Sequence, residues 1–460
     1  MLRVQSRLAV SEHRDFVLRA PVGRALWSLA WPMALSNELA ILTMGVVLFW
    51  LGRLVGEAGL VVEALYRPVE LLITWLFGAT SVGASVIVSR SIGAKDDRGL
   101  AVAAGSVSLT LAMWIGLVVI VVPTAPWLAG ALVGDLPVER QMLQYVIGWV
   151  LVALPGLSVA EVLLDVASST GNTKLTIVRV LVDLAFAAAL TPVLISVAGM
   201  GIAGGPVSQG IAAGGLCVAL WIMLVRGRTK LALGELPRGA WRPQWGLWKE
   251  ILAIGLPVQI SRMAYFVSQL ILLQMIAREG EDRVAGYGIA GALFLFGTMA
   301  TLALAQGGSI LVGQALGAGL TDRARQGVRA ALISGWFVMA LFVVVTLFDR
   351  SIIGLFTSDP GITDAASHAL SILRWAGFGV AAFQILMSSF AAYRATIRAS
   401  LLMVGAEVVG LAVAFAWPGS ALDAACFAVV AANTLKGALL LVLMPRITRQ
   451  PPGSTPHPAH

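Results

Sequence analysis

The chain has 460 residues, of which 58% are hydrophobic and 12% are charged. Soluble domains are about 45–50% apolar and about 25% charged, so this composition excludes a soluble protein and indicates a membrane protein. The formal net charge of +8 fits membrane topology better than nucleic-acid binding, because the basic residues alternate between successive loops.

Twelve apolar runs follow one another along the chain. A helix that crosses a bilayer needs about 20 apolar residues, and each run reaches or approaches that length. The sequence therefore predicts an all-α membrane protein with twelve transmembrane helices. The runs are 25–51, 58–89, 100–123, 138–166, 175–197, 202–225, 248–277, 284–315, 328–348, 366–390, 399–417 and 421–444.

The segments between the runs predict the topology. With the N-terminus inside, 23 of the 32 Lys and Arg residues fall on the cytoplasmic side, 6 fall on the outer side and the remaining 3 lie deep within runs. This bias predicts a multi-pass protein of the bacterial inner membrane with both termini in the cytoplasm. The expected organisation is a cytoplasmic N-terminal segment, a first lobe, a cytoplasmic linker, a second lobe and a cytoplasmic tail, at 1–24, 25–225, 226–247, 248–445 and 446–460.

A sequence repeat relates the two halves. Residues 83–94 (GASVIVSRSIGA) resemble residues 307–318 (GGSILVGQALGA), 224 positions later, and Pro32 resembles Pro257, 225 positions later. Six helices separate the copies, so the repeats are parallel, as in many transporters built from two halves. Proline removes a helical hydrogen bond, so Pro32 and Pro257 are predicted hinges of the first and seventh helices.

Several short motifs resemble the multidrug and toxic compound extrusion (MATE) family over about residues 24–445. This resemblance implies two six-helix lobes forming a V around a central cavity. It also implies efflux of organic compounds coupled to inward flow of protons or sodium. Besides the two prolines, the motifs are Leu51-Gly52-Arg53, Val88-Ser89-Arg90, Thr170-Gly171-Asn172, Gly201-Ile202-Ala203-Gly204 and Val312-Gly313-Gln314.

The chain departs from the family where ion coupling is usually placed. Many members carry an Asp in the first span, where this chain has Val47, and an Asn-x-x-x-Asp in the fifth span, where it has Ala187 and Thr191. A Glu of the seventh span in some members aligns with Tyr265. The carboxylates typical of a sodium site are therefore missing, and coupling is expected to use other residues.

Ionisable residues inside the predicted spans are functional candidates, because a charge is costly in a bilayer. Glu38 lies deep in its span with no partner within one turn, so it is the favoured coupling acid, and Asn37 beside it is included in the site. Glu70 and Asp183 follow as candidates, although each has an arginine one turn away and local pairing is the alternative. Glu161 and Asp165 are expected to be solvated near a span end.

The second half carries mostly basic candidates. Arg262 is expected either to bind an anionic group or to neutralise Glu407, and Lys436 is expected to pair with Glu407 rather than to reach the membrane surface. Arg374 is a candidate for a phosphate group. The predicted site therefore contains Glu38, Glu70, Asp183, Asn37, Arg262, Arg374 and Glu407.

These features favour a secondary antiporter that exports amphipathic, cationic organic compounds or drugs in exchange for protons. The alternatives are a flippase or exporter of a lipid-linked or anionic metabolite on the same fold, sodium-coupled efflux, and a membrane-embedded enzyme. The sequence has no phosphate-binding P-loop and no histidine pair inside a span, so we expect no enzyme activity, cofactor or metal. The expected partners are small organic substrates and the lipid bilayer, without nucleic acid, and the expected state is a monomer.

Overall fold

The computed structural model describes residues 12–96, 98–134, 137–226 and 239–448. Within these ranges there is no β-strand, and twelve helices are long and apolar enough to cross a membrane. This confirms the predicted all-α fold with twelve spans. In chain order the helices are α1 Val22–Val55, α2 Glu57–Ala94, α3 Gly99–Val133, α4 Glu139–Ser169, α5 Leu175–Val197, α6 Gly201–Val225, α7 Trp245–Ala277, α8 Glu281–Gly317, α9 Thr321–Ile353, α10 Pro360–Ala392, α11 Thr396–Ala416 and α12 Ala421–Thr448.

Every predicted apolar run falls on one helix, and most helices extend beyond their run. The helices contain 21 to 38 residues, whereas about 20 suffice to cross the hydrocarbon core. Their polar ends therefore extend past the core or the helices tilt within it. Most of the predicted linker and nearly all of the predicted tail lie outside the described residues, at 227–238 and 449–460.

Three helices contain a widened turn. It covers Leu51–Val55 in α1, Trp149–Ala153 in α4 and Val193–Val197 in α5. In α4 the cause is Pro155, which has no N–H to offer to the carbonyl of the fourth residue before it. Such turns occur often at functional sites, but none of their residues lines the cavity described below.

Residue contacts divide the chain into two compact units. Unit 1 contains Leu35–Leu256 together with the chain up to Phe16, and unit 2 contains Val17–Ala34 and Pro257–His460. The first part of α1 thus groups with the second half of the chain, and the first part of α7 groups with the first half. The divisions fall two residues after Pro32 and directly before Pro257.

Within unit 1, glycines hold the start of α7 against α2 and α3. A Cβ atom on Gly83 would collide with the carbonyl oxygen of Ile251, and one on Gly255 would collide with that of Ala79. Trp248 fixes the same helix from the side, because its indole N–H donates to the carbonyl oxygen of Gly105 at 3.1 Å. The absence of side chains at Gly83 and Gly255 therefore permits this close helix packing, as is common in membranes.

Unit 2 repeats this arrangement with the start of α1. A Cβ atom on Gly307 of α8 would lie 3.1 Å from the backbone nitrogen of Ala30, and one on Gly308 would lie 3.8 Å from Leu26. Gly83 and Gly307 are the first residues of the two copies of the repeated motif. The motif therefore marks the two places where the beginning of a proline-containing helix packs.

Each unit has its own apolar core around an equivalent helix. In unit 1, α4 packs against α2, α3 and α6, and its Trp149 is fully buried among Tyr66, Tyr145 and Leu154. In unit 2, α10 packs against α8, α9 and α12, with Phe294 in the core. The lobe limits predicted from the sequence follow the repeat. The contact units differ from these lobes, because the first part of α1 belongs to unit 2 and the first part of α7 belongs to unit 1.

Candidate functional site

A cavity of about 300 Å³ lies inside unit 1. It combines an apolar wall with buried amide and charged groups, which is the usual composition of a site for small organic molecules. Five helices, α1, α2, α4, α5 and α6, supply its wall. The lining residues are Ser36, Asn37, Ala40, Thr43, Met44, Val47, Glu63, Arg67, Leu157, Arg179, Val180, Asp183 and Gln209.

On α5, Asp183 lies beside an arginine one turn earlier. The Arg179 Nε donates to Asp183 Oδ2 at 3.2 Å, and both side chains are largely buried. The pair is local to one helix, as the spacing of four residues allows. Both groups face the cavity, so Asp183 is in the predicted region but is neutralised by its neighbour.

On α2, an arginine lies between two acids. Arg67 Nη1 is 3.2 Å from Glu70 Oε1 and 4.0 Å from Glu63 Oε1. The hydroxyl group of Tyr145 on α4 donates a hydrogen bond to Glu63. Glu63 and Glu70 are 6% and 8% exposed, so both carboxyl groups are almost completely removed from water.

Glu63 was missed by the sequence-based list of candidates. Its signal was present, because positions 63, 67 and 70 recur at intervals of four and three residues and therefore share one face of a helix. The contact with Tyr145 joins residues 82 positions apart, and no local pattern in the sequence predicts such a pairing.

Asn37 lines the cavity, whereas Glu38 is not among its lining residues. Glu38 Oε2 and Asn37 Nδ2 are buried and have no hydrogen-bond partner among the described residues. Leaving a buried polar atom unpaired is unfavourable by about 1–3 kcal/mol. Each of the two atoms could therefore form a favourable hydrogen bond with a bound molecule or ion. The role of Glu38 stays a prediction.

At the positions where many family members carry ion ligands, this chain has either an apolar side chain or a hydroxyl group that already forms a hydrogen bond. Val47 and Ala187 are buried and have no side-chain oxygen. Thr191 does have one, but it lies 2.6 Å from the hydroxyl oxygen of Ser208. Within the described residues no group of three or more His, Cys, Asp or Glu residues is placed to hold a metal ion.

Unit 2 contains a buried ion pair. The ammonium group of Lys436 on α12 pairs with Glu407 on α11, as predicted, and donates to Asn433 Oδ1 at 3.1 Å. It also lies over two aromatic rings, 5.0 Å from the centre of Tyr265 and 4.8 Å from that of Phe383. Lys436 is 1% exposed, so it does not reach the membrane surface.

The two arginines predicted in unit 2 have polar neighbours of their own. Arg374 Nη1 donates to the carbonyl oxygen of Thr346 at 3.1 Å, and its Nη2 is 3.7 Å from Asp349 Oδ2. Arg262 Nη1 is 3.5 Å from Gln259 Oε1. Whether Arg262 binds an anionic group or neutralises Glu407 therefore stays a prediction.

A second cavity, of about 410 Å³, lies in unit 2. Its charged lining residues are Arg325 and Arg329, and Leu332, Leu386 and Leu441 contribute to its apolar wall. None of the residues predicted from the sequence lines it. The two cavities differ in charge, since the cavity of unit 1 contains acids and the cavity of unit 2 does not.

Comparison with known proteins identifies relatives along most of the chain. The family model MatE matches residues 32–193 and 257–417, so its two copies begin at the two repeated prolines. The Bacillus subtilis (strain 168) protein named "Probable multidrug resistance protein YoeA" is 23% identical over 387 residues, covering 83% of this chain and 82% of the relative. "Multidrug export protein MepA" of Staphylococcus aureus (strain N315) is 22% identical over 356 residues, covering 77% and 78%.

A solved structure has the same fold at low sequence identity. The crystal structure described as MATE in the bent conformation superposes with a TM-score of 0.85 and 19% identity, covering 95% of this chain and 97% of that one. The similarity therefore extends over all twelve helices and agrees with the family model.

Proposed function

The chain belongs to the MatE family of membrane transporters, and from that premise we propose that it exports amphipathic organic cations in exchange for protons. The names of its relatives in Bacillus subtilis and Staphylococcus aureus refer to multidrug resistance and multidrug export. These names support organic compounds as the substrate class. The proposal adds the charge of the substrate and the identity of the coupling ion.

The observation that carries the proposal is the charge balance of the cavity in unit 1. Its charged lining residues are Glu63, Asp183, Arg67 and Arg179. Glu70 does not line the cavity but contacts Arg67. Three acids against two arginines leave one negative charge when all five groups are ionised. A partly apolar cavity with an excess of negative charge attracts an organic cation and repels an anion.

Protons fit this cavity better than sodium ions. Sodium binding needs several oxygen ligands around one point, and the family positions that would supply them are Val47, Ala187 and Thr191. The hydroxyl group of Thr191 is already paired with Ser208. A proton requires only one accepting carboxyl group, and the unit offers several buried or partly buried acids, among them Glu38, Glu63, Glu70 and Asp183.

Exchange follows if a proton and a cation compete for the same negative charge. The unit then binds either the proton or the substrate, and each ion shifts the equilibrium away from the form that binds the other. An inward proton gradient would thereby drive substrate out of the cell. Pro32 and Pro257, which lie at the limits between the two contact units, are proposed as the hinges of this cycle.

The alternative substrate, an anionic or lipid-linked metabolite, would need arginines without acidic partners. Arg67, Arg179 and Arg374 each have a carboxylate within 4.0 Å. Around the cavity of unit 1, two acids and two arginines form the lining, and Glu70 next to Arg67 adds a third acid. The charge balance therefore favours the cation.

Transport by purified protein in lipid vesicles tests the proposal. With ethidium as the probe and equal sodium on both sides, vesicles whose interior is more acidic than the outside should take up ethidium. The protons that leave the vesicles drive ethidium inward. A sodium gradient at constant pH should have no effect. Transport that follows sodium, or that ignores both gradients, would contradict the coupling ion proposed here.

A further inference from the structure

The acidic cluster on α2 differs from the Arg179–Asp183 pair of α5, because in the cluster one cation serves two acids. Arg67 Nη1 contacts Glu70 at 3.2 Å and Glu63 at 4.0 Å, while its Nη2 donates to the sulfur atom of Met44 on α1 at 3.3 Å. Asp183, by contrast, has Arg179 to itself. We name Glu63, Arg67 and Glu70 the α2 triad.

Aromatic rings surround the triad on its protein side. The ring of Tyr66 packs edge to face against Tyr145 and Trp149, with ring centres 5.5 and 5.6 Å apart. All three rings are at most 2% exposed, and the Tyr145 hydroxyl group donates to Glu63. Electrostatic interactions are strong in such an apolar setting, so a net charge on the triad is unfavourable.

The charge of the triad depends on one proton. Arginine remains protonated in proteins, so the triad carries one negative charge when both carboxyl groups are ionised and none when one of them is protonated. One guanidinium group beside two carboxyl groups neutralises only one of them. Around the triad, α4 contributes the neutral Tyr145 and Trp149, and α5 contributes Arg179 and Asp183, which cancel each other.

We propose that the α2 triad is the place where proton and substrate exchange. The inference rests on the proposed function and assigns its coupling to particular residues. Glu63 and Arg67 line the cavity, so a cation entering the cavity can neutralise the ionised triad in place of the proton. The proton leaves as it came, between a carboxyl oxygen and cavity water, and no other bond is formed or broken.

Proton release on substrate binding tests the assignment. The full-length protein in detergent, in weakly buffered solution with a pH-sensitive dye, is titrated with ethidium. The wild type should release about one proton per bound ethidium, because cation and proton compete for one charge. Glu63→Gln and Glu70→Gln should each reduce the release to that of the protein-free control, because the remaining acid is neutralised by Arg67 without a proton.

The same helix provides a matched control. Glu57 is exposed at the start of α2, and Glu57→Gln should release protons as the wild type does. Glu38→Gln places the acid favoured from the sequence in the same comparison and should retain release. Release that persists in both triad variants and disappears in Glu38→Gln would overturn the assignment, while a wild type that binds ethidium without releasing protons would refute the proposed exchange itself.

Tyr145→Phe provides a second test that keeps the triad intact and does not require a folded Glu63 variant. Tyr145 is a positioning residue, since its hydroxyl group donates a hydrogen bond to Glu63. Its loss should move the midpoint of proton release to higher pH while ethidium binding at high pH stays as in the wild type. An unchanged pH profile would contradict a role for Glu63 in holding the proton.

Discussion

At the scale of single residues, the chain contains two different kinds of buried charge. Lys436 and Glu407 form a closed pair that is satisfied by Asn433 and by two aromatic rings. The α2 triad has one acid more than it has cations and reaches a cavity. The closed pair is suited to a structural role, whereas the unbalanced triad is suited to the exchange of ions.

Removal of Lys436 should destabilise the protein strongly. Lys436→Met leaves Glu407 ionised and unpaired in the interior, which lowers stability by about 3–5 kcal/mol for a buried pair. The double variant Lys436→Met with Glu407→Gln should recover much of the loss, since no charge is then left unpaired. Thermal unfolding in detergent measures both, and Lys249→Met at an exposed position of α7 is the control. A single variant as stable as the wild type would contradict the structural role.

Sequence patterns predict part of this residue-scale picture. The pairing of Asp183 with Arg179 and of Glu70 with Arg67 follows from helical spacing, and both pairs are present. The pairing of Lys436 with Glu407 was also predicted and is present. The contact of Glu63 with Tyr145 was not predicted, and it joins residues on different helices that are 82 positions apart. Such contacts depend on how helices pack, and a single sequence does not contain that information directly.

At the scale of elements, the repeated motif has a packing function. Gly83 in α2 and Gly307 in α8 each adjoin the first part of a proline-containing helix. The number and positions of the twelve helices could be predicted, because a run of about 20 apolar residues has few alternatives in a membrane. The contact unit to which the first parts of α1 and α7 belong could not be predicted, because the apolar runs do not indicate which helices are neighbours.

The closest of these helix contacts gives a stability prediction. A methyl group at Gly255 would collide with the backbone carbonyl of Ala79, and backbone cannot rotate away as a side chain can. Gly255→Ala should therefore lower stability by about 1–3 kcal/mol, as overpacking does. Gly246→Ala, where no atom lies within 4 Å, should behave as the wild type. Equal melting temperatures for the two variants would contradict the close packing.

The proline hinges give a prediction about turnover. Pro32→Ala and Pro257→Ala each restore a helical N–H and remove a ring that clashes with the preceding turn, so each variant should fold normally. Transport of ethidium in vesicles should nevertheless be slower, because the helix becomes stiffer at the limit between the contact units. Turnover equal to that of the wild type in both variants would exclude a hinge role.

At the scale of the whole molecule, the basic residues predict the orientation in the membrane. The bias of 23 basic residues on one side against 6 on the other predicts that both termini and the linker lie in the cytoplasm. Single cysteines at Gly239 and Gly361, in a background without Cys217 and Cys426, should react with an impermeant reagent from opposite sides. Labelling of position 239 from outside intact cells would contradict the predicted orientation.

The central claim is that one organic cation is exchanged for one proton. The most direct measurement imposes a gradient of substrate and follows the movement of protons. Vesicles containing the purified protein and a trapped pH dye start with equal pH on both sides, and ethidium is then added outside. Exchange predicts that the interior becomes more alkaline as ethidium enters, and that protein-free vesicles show no such change. Entry of ethidium through the protein at constant internal pH would contradict the account.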